Sequence, residues 1–175
     1  TLLLAYVALA QGDAVGLATF GGEVRRVAPR KSGGTLNQLL NTVYDLQPSL
    51  AVPDYYSAAV DLMQRVRKRA LVVIVSNLRD EDDGTLLPAI KLLTDRHLVL
   101  FANLREMVVD AVAGEPVRGL SSALTYVAAV DYLARRRRAF QRLTGCGAIA
   151  MDVTPDKLAL AMVNQYLGLK SSGQL

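Results

Sequence analysis

Residues 70–75 read Ala-Leu-Val-Val-Ile-Val, an unbroken apolar run dominated by β-branched side chains. A strand with one face in water alternates apolar with polar residues. A run without alternation belongs to a strand covered on both faces, as in the parallel sheets of α/β proteins. Residues 97–104, His-Leu-Val-Leu-Phe-Ala-Asn-Leu, form a second such run. Between and around these runs the apolar spacing becomes helical. Ala58, Ala59, Leu62, Met63 and Val66 share one face of a segment that Asp54 caps and that runs through Arg67. Helices are also predicted from Thr85 to Asp95, with Pro88 in the first turn, over 106–113, from near Ser121 to about Leu143, and from Pro155 to Leu167 behind a Thr154 cap. A last strand covers 145–153. Helices alternating with buried strands predict an α/β fold: a three-layer open, mostly parallel sheet of Rossmann type.

The first 50 residues add an antiparallel edge. Leu2–Ala10 is rich in Leu and Ala and reads as a helix stopped by Gly12. Residues 14–20 read as a strand, Gly21-Gly22 as a hairpin turn, and 24–28 as the return strand, whose Arg25 and Arg26 mark an exposed edge. A helix follows from Leu36 to about Leu46. With 175 residues and no linker or internal repeat, the whole of 1–175 reads as a single domain. Apolar residues make up 51% and charged residues 21%, which excludes a disordered tail or a coiled-coil rod. The longest apolar stretch, Leu2–Ala10, falls well short of the roughly 20 residues that cross a bilayer. The chain opens at Thr1 without a Met and reads as a piece of something longer, begun inside a helix.

Few residues offer chemistry. The single Cys146 excludes an internal disulfide and a four-cysteine zinc site, and the single His97 excludes any site needing two histidines. Cys146 sits between two glycines at the predicted start of a strand and reads as a packed core thiol. No glycine cluster stands between a strand and a helix with the spacing that cradles a pyrophosphate, which argues against nucleotide binding. Net charge is +4, and the run Arg135-Arg136-Arg137-Arg138 accounts for all of it. Four successive residues fan around a helix, so they form no single basic face for nucleic acid. Arg135, Arg138 and Arg142 share the polar side, with Asp131 placed to pair with Arg135 at i,i+4. Arg136 falls on the apolar side and must snorkel or find a carboxylate. The remaining cluster is Asp80, Glu81, Asp82 and Asp83, just beyond the C-terminal end of a buried strand, where open α/β sheets bind ligands. Its spacing is not that of a calcium loop, and it reads as a solvated loop before a helix.

Three segments carry a family resemblance. Residues 12–20, Gly-Asp-Ala-Val-Gly-Leu-Ala-Thr-Phe, resemble the second strand of von Willebrand factor A-type domains, whose pattern there is G-D-x-V-G-L-x-x-F. Residues 71–80 resemble their fourth strand and following loop. Residues 161–170, with Val163-Asn164, Tyr166-Leu167 and Lys170, resemble the V-N-x-Y-L-x-x-K tail of one bacterial branch, domain-of-unknown-function family fifty-eight. That branch is often encoded beside MoxR-type AAA+ ATPases. The resemblance implies strand order 3-2-1-4-5-6, with two membrane helices, a β-rich segment and the first strand all lying before Thr1. The absent strand normally ends in D-x-S-x-S, the heart of a metal-ion-dependent adhesion site. By position, Val52-Pro53-Asp54 stands at the family's threonine loop and Asn77 at its aspartate. Only Asp54 and Asn77 could then offer ligand oxygens, so no metal is expected here, and only a full-length protein could hold magnesium.

The resemblance thus implies a non-catalytic protein-interaction domain without cofactor, working with a MoxR-type AAA+ ATPase at the cytoplasmic face of the bacterial membrane, while the present segment is soluble. Asp54, Asn77, Asp80, Glu81, Asp82 and Asp83 would face that partner. The alternative is a metal- or nucleotide-dependent enzyme with its site at the same strand ends. Without strand 1, the sheet must either close directly, in order 3-2-4-5-6, or receive a second copy of the chain in the gap, making a homodimer.

Overall fold

The structure is a computed structural model that describes residues 1–47, 49, 51–78 and 83–175, with backbone only at 83. In chain order its elements are α1 (Leu2–Ala10), β1 (Val15–Ala18), β2 (Arg26–Arg30), α2 (Thr35–Val43), α3 (Tyr55–Arg65), β3 (Leu71–Ser76), α4 (Asp83–Thr94), β4 (Leu98–Leu104), α5 (Met107–Gly114), α6 (Leu120–Gly145), β5 (Ile149–Val153) and α7 (Pro155–Ser171). The fold is mixed α/β, as predicted, but its strands form two sheets rather than one. β1 and β2 pair antiparallel, while β3, β4 and β5 pair parallel in that order. Direct closure of the sheet is therefore overturned: β1 and β3 do not pair with each other.

The apolar runs explain the parallel sheet. Val99, Leu100, Phe101 and Ala102 of the central strand β4 are wholly buried, and the three larger ones contribute roughly 1.5–3 kcal/mol each. Alternate residues face opposite layers. Val72, Ile74, Val99 and Phe101 pack with α3, α4 and the C-terminal half of α6 around Leu86, Ile90 and Leu143. Leu71, Val73, Val75 and Ala102 pack with α1 and α7 around Leu4, Ala8, Met162 and Tyr166. Helices thus cover both faces. Helix α1 also reaches the antiparallel pair, where Ala5 meets Val27 and Leu39. Val15 of β1 packs into both α1 clusters, so α1 is the wedge that binds the two sheets.

Local rules account for most boundaries. Gly12 adopts φ +78 at the stop of α1, the left-handed region that glycine enters freely. Gly16 in β1 leaves room for β2: a Cβ there would meet the Val27 carbonyl oxygen at 2.8 Å and the Pro29 nitrogen at 2.9 Å. That approach coincides with an irregular register between Val15 and Leu17. The return strand starts two residues later than expected. Thr19 ties the turn instead, its hydroxyl donating to the Glu23 carbonyl and accepting from the Arg25 amide. Arg25 pairs with Glu23 and Asp45, and Arg26 with Asp61. Helix α4 begins earlier than predicted, placing Pro88 in its second turn rather than its first. Gly145 ends α6 and Cys146 is its cap, so the last strand starts later, at Ile149. Thr154 stands at the α7 cap position, but its hydroxyl makes no capping bond.

His97 lies buried just before β4, and neither ring nitrogen has a hydrogen-bond partner. Burial, helped by the charge of Arg96, lowers its pKa below the ordinary value near 6.5. The folded state then takes up this proton less readily than the unfolded chain. Its stability is complete above about pH 6.5 and is lost as the pH falls through the lowered folded value. Thermal unfolding between pH 7.5 and 5 should show this loss, and His97→Leu should flatten the slope. An equal slope in both proteins would show that His97 carries none of it.

Candidate functional site

The polar residues of the parallel sheet gather at its C-terminal edge. Asn103 of β4 is fully buried, and both ends of its amide are engaged. Its oxygen accepts from the Leu78 amide at 2.7 Å, fixing the chain as it leaves β3, and its nitrogen donates to Asp152 Oδ1 of β5 at 2.8 Å. Arg136 of α6 donates to the same oxygen at 2.6 Å and to the Leu104 carbonyl at 3.3 Å. Its side chain is only 7% exposed. The carboxylate expected for this apolar-side arginine is therefore Asp152. The remaining arginines follow the expected face, with Asp131 and Arg135 paired at 2.9 Å.

Beside this network lies a second, more exposed one. Asn77, directly after β3, donates its amide to Glu106 Oε1 at 2.5 Å, while Asn77 Oδ1 is buried without a partner. Tyr132 of α6 reaches Glu106 Oε2 at 3.4 Å. Arg105 pairs with Asp110 at 2.6 Å, and that hydrogen bond holds the Asp110 carboxyl below the usual carboxylate range. Tyr55, buried at the start of α3, shares a 2.7 Å hydroxyl contact with Ser76 at the end of β3. The edge is thus a lattice of side chains that bind one another.

Asp54 is the cap of α3, as predicted. Its Oδ1 accepts from the Ser57 amide at 3.0 Å and its Oδ2 from the Ser57 hydroxyl at 2.6 Å. These bonds hold its carboxyl below the usual range. A divalent cation fits this donor set poorly: both Asp54 oxygens are engaged, and Asn77 is neutral with one free oxygen against the six that magnesium takes. Among the described residues, no three His, Cys, Asp or Glu side chains are placed to hold a metal. Asp80, Glu81 and Asp82, and the side chain of Asp83, lie outside the described residues.

A third cluster lies at the C-terminal end of α1. Asp13, in the turn after α1, accepts from Tyr166 Oη at 2.5 Å and from Lys170 Nζ at 2.7 Å. Lys170 also donates to the Gln11 carbonyl at 3.0 Å. Burial opposes ionisation of Asp13, but the bonds from Lys170 and Tyr166 outweigh it and hold the carboxyl below the usual range. Burial, reinforced by the Asp13 charge, raises the Tyr166 pKa, so this tyrosine is no activated base. The two ends of the sequence pattern, Gly12-Asp13 and Tyr166-x-x-x-Lys170, therefore meet as a structural clasp.

Cys146 is partly buried in the turn between α6 and β5, so it is a cap residue rather than a strand residue. It still touches the core. It forms no pair with His97, whose ring nitrogens are both unpartnered. No helix among the described residues is long and apolar enough to cross a membrane.

A parallel three-stranded sheet, helices on both faces and a polar edge whose side chains bind one another define an α/β architecture. Residues 1–144 match the family model described as Protein of unknown function DUF58, and the chain belongs to that family. Nothing among the curated proteins or the solved structures matches it.

Sequence reasoning did not find Glu106, Asn103 or Tyr55. Asn103 carried a signal, because a polar residue near the end of an otherwise apolar buried strand needs partners. Glu106 had none, since its contact with Asn77 spans two elements. The Arg136–Asp152 pair predicts an asymmetric mutant cycle. Asp152→Ala strands a buried guanidinium and should cost about 3 kcal/mol in urea unfolding. Arg136→Met should cost less, because Asp152 is partly solvated, and the double variant should cost less than the sum. Additive costs would show that the two side chains do not act as a pair.

Proposed function

We propose that this chain is a non-catalytic protein-interaction domain of von Willebrand factor A-like architecture. Its partner face is the C-terminal edge of the parallel sheet: Asp54, Asn77 and the acidic run Asp80, Glu81, Asp82 and Asp83. The antiparallel pair β1-β2 and the parallel order β3-β4-β5 support that architecture, which has a pair of the first kind at strands 2 and 3 and the second order at strands 4, 5 and 6. The observation that carries the functional reading is the lattice at this edge. Asn77 is bonded to Glu106, Asp54 to Ser57, and Asp152 to Arg136. Groups held this way present a rigid polar surface to a partner. An enzyme at the same edge would need a nucleophile beside a base, or carboxylates free to take a metal.

The partner in this reading is a MoxR-type AAA+ ATPase at the cytoplasmic face of the bacterial membrane. Affinity capture with the tagged natural protein should recover such an ATPase, and Asp82→Lys should remove it. Recovery of nucleic acid alone, or hydrolase turnover that disappears with His97→Ala or Cys146→Ala, would overturn the reading.

A further inference from the structure

Helices α3, α4 and α6 lead into the parallel strands β3, β4 and β5, so their C-terminal ends meet at the N-terminal edge of that sheet. Hydrogen bonds tie the three ends together. The Ala70 carbonyl accepts from the Leu98 amide at 3.0 Å, the Met63 carbonyl from Arg96 Nη1 at 3.1 Å, and the Cys146 carbonyl from Thr94 Oγ1 at 3.3 Å. Each end is basic. Arg65, Lys91 and Arg142 stand in the last turns of their helices, where a cation complements the dipole. Arg67, Lys68 and Arg69 lie beyond α3 and are exposed, as is Arg96 beyond α4. Among the described residues the side chains of Arg67, Lys68 and Arg69 enter no ion pair. The sequence holds no acid between Asp61 and Asp80 or between Asp131 and Asp152, and Asp61 is taken by Arg26 and Arg65. Asp95 is the acid at this edge, and it leaves a large positive excess.

We propose that this edge docks on the anionic headgroups of a lipid bilayer. Neighbouring strands lie about 4.8 Å apart, so the three ends fall within roughly 10 Å across the sheet, about one Debye length, and their charges act together. The contact is electrostatic, because the edge has no apolar anchor. Among the described residues, no large apolar side chain is exposed between Tyr56 and Met107 or between Val130 and Leu160. The exposed apolar stripe of α6, at Leu120, Leu124 and Val127, lies in the half of that helix away from this edge. A protein interface has an apolar core, and a single-stranded nucleic acid stacks on aromatic rings. The edge supplies neither. Duplex DNA is read by a helix or ribbon laid in a groove, whereas these cations sit at helix ends and in loops. A bilayer surface asks only for a broad patch of positive charge, each exposed Lys or Arg strengthening binding about fivefold. The edge lies opposite Asp54 and Asn77, and the inference stands on this geometry rather than on the partner proposed for them.

Co-sedimentation with lipid vesicles tests the contact. The chain should sediment with vesicles of mixed phosphatidylglycerol and phosphatidylcholine at low salt and stay in solution with phosphatidylcholine alone. Salt rising toward about 1 M, which screens charge beyond roughly 3 Å, should release it. Arg67→Gln with Lys68→Gln should weaken binding about 25-fold, and Arg67→Glu with Lys68→Glu should weaken it further. Arg118→Glu with Lys157→Glu makes the same change in net charge as that second pair, ahead of α6 and in the first turn of α7, and should leave binding within about threefold. Thermal unfolding of each variant separates lost binding from lost folding, and the Gln pair carries the test if the Glu pair unfolds. No binding to the mixed vesicles at low salt would overturn the proposal, as would equal binding to phosphatidylcholine alone. So would equal losses from the Arg67–Lys68 and Arg118–Lys157 reversals, or binding to a duplex DNA fragment without binding to vesicles.

Discussion

Strand β3 is apolar on both faces yet is hydrogen-bonded along one edge, to β4. The rest of the molecule answers that constraint. A β-branched run cannot face water on either side, so one helical layer must lie over Val72 and Ile74 and another over Leu71, Val73 and Val75. Helix α1 belongs to the second layer. By reaching Val27 and Leu39 as well, it joins the antiparallel pair to the parallel sheet without a strand between them. The Asp13–Tyr166–Lys170 clasp then fixes the end of α1 against α7. Two sheets are held as one body by side-chain packing and a three-residue polar tie. Consistent with its one-sided pairing, β3 is only half-buried at every position, whereas the interior of β4 is fully buried.

The same logic organises the C-terminal edge. Arg136 points into the core side of a long helix, where an unpaired guanidinium would cost several kcal/mol. Asp152 and the Leu104 carbonyl take up one of its terminal nitrogens and, through Asn103, link α6 to the ends of β4 and β5 and to the exit from β3. This anchorage holds the C-terminal half of α6 on the sheet. The N-terminal half contacts α5, whose residues are themselves unburied, which is why the apolar stripe around Leu124 stands in solvent. The position of the stripe therefore follows from how the C-terminal half of α6 is anchored, by the Arg136–Asp152 pair and by the core packing of Ala139 and Leu143.

Much of this was legible in the sequence, because the signals were local. The β3 and β4 runs, the Asp54 cap, the stop at Gly12 and the need of Arg136 for a carboxylate each follow from residues within one element. What was not legible depends on meetings between distant elements. Asp152 as the partner of Arg136, Glu106 against Asn77 and Tyr55 against Ser76 are all joined only by the fold. Strand ends moved where a local hydrogen bond, from a side chain or from the backbone, outcompeted propensity. Thr19 holds the turn open past residue 24, and the cap at Cys146 delays β5. The separation into two sheets depends on backbone pairing between segments far apart in sequence, which apolar periodicity does not encode.

Helix α1, not a strand, joins the sheets, leaving one edge of β3 unbonded among the described residues. Backbone groups along a strand point alternately to its two sides. The Ala70 carbonyl accepts from the Leu98 amide, so Val72 and Ile74 face β4 while Val73 and Val75 face away from it. Residue-resolved amide hydrogen exchange measures this directly. Protection should alternate along β3, slow at Val72 and Ile74 and markedly faster at Val73 and Val75. Uniformly slow exchange across all four amides would contradict the account and show that another strand occupies that edge.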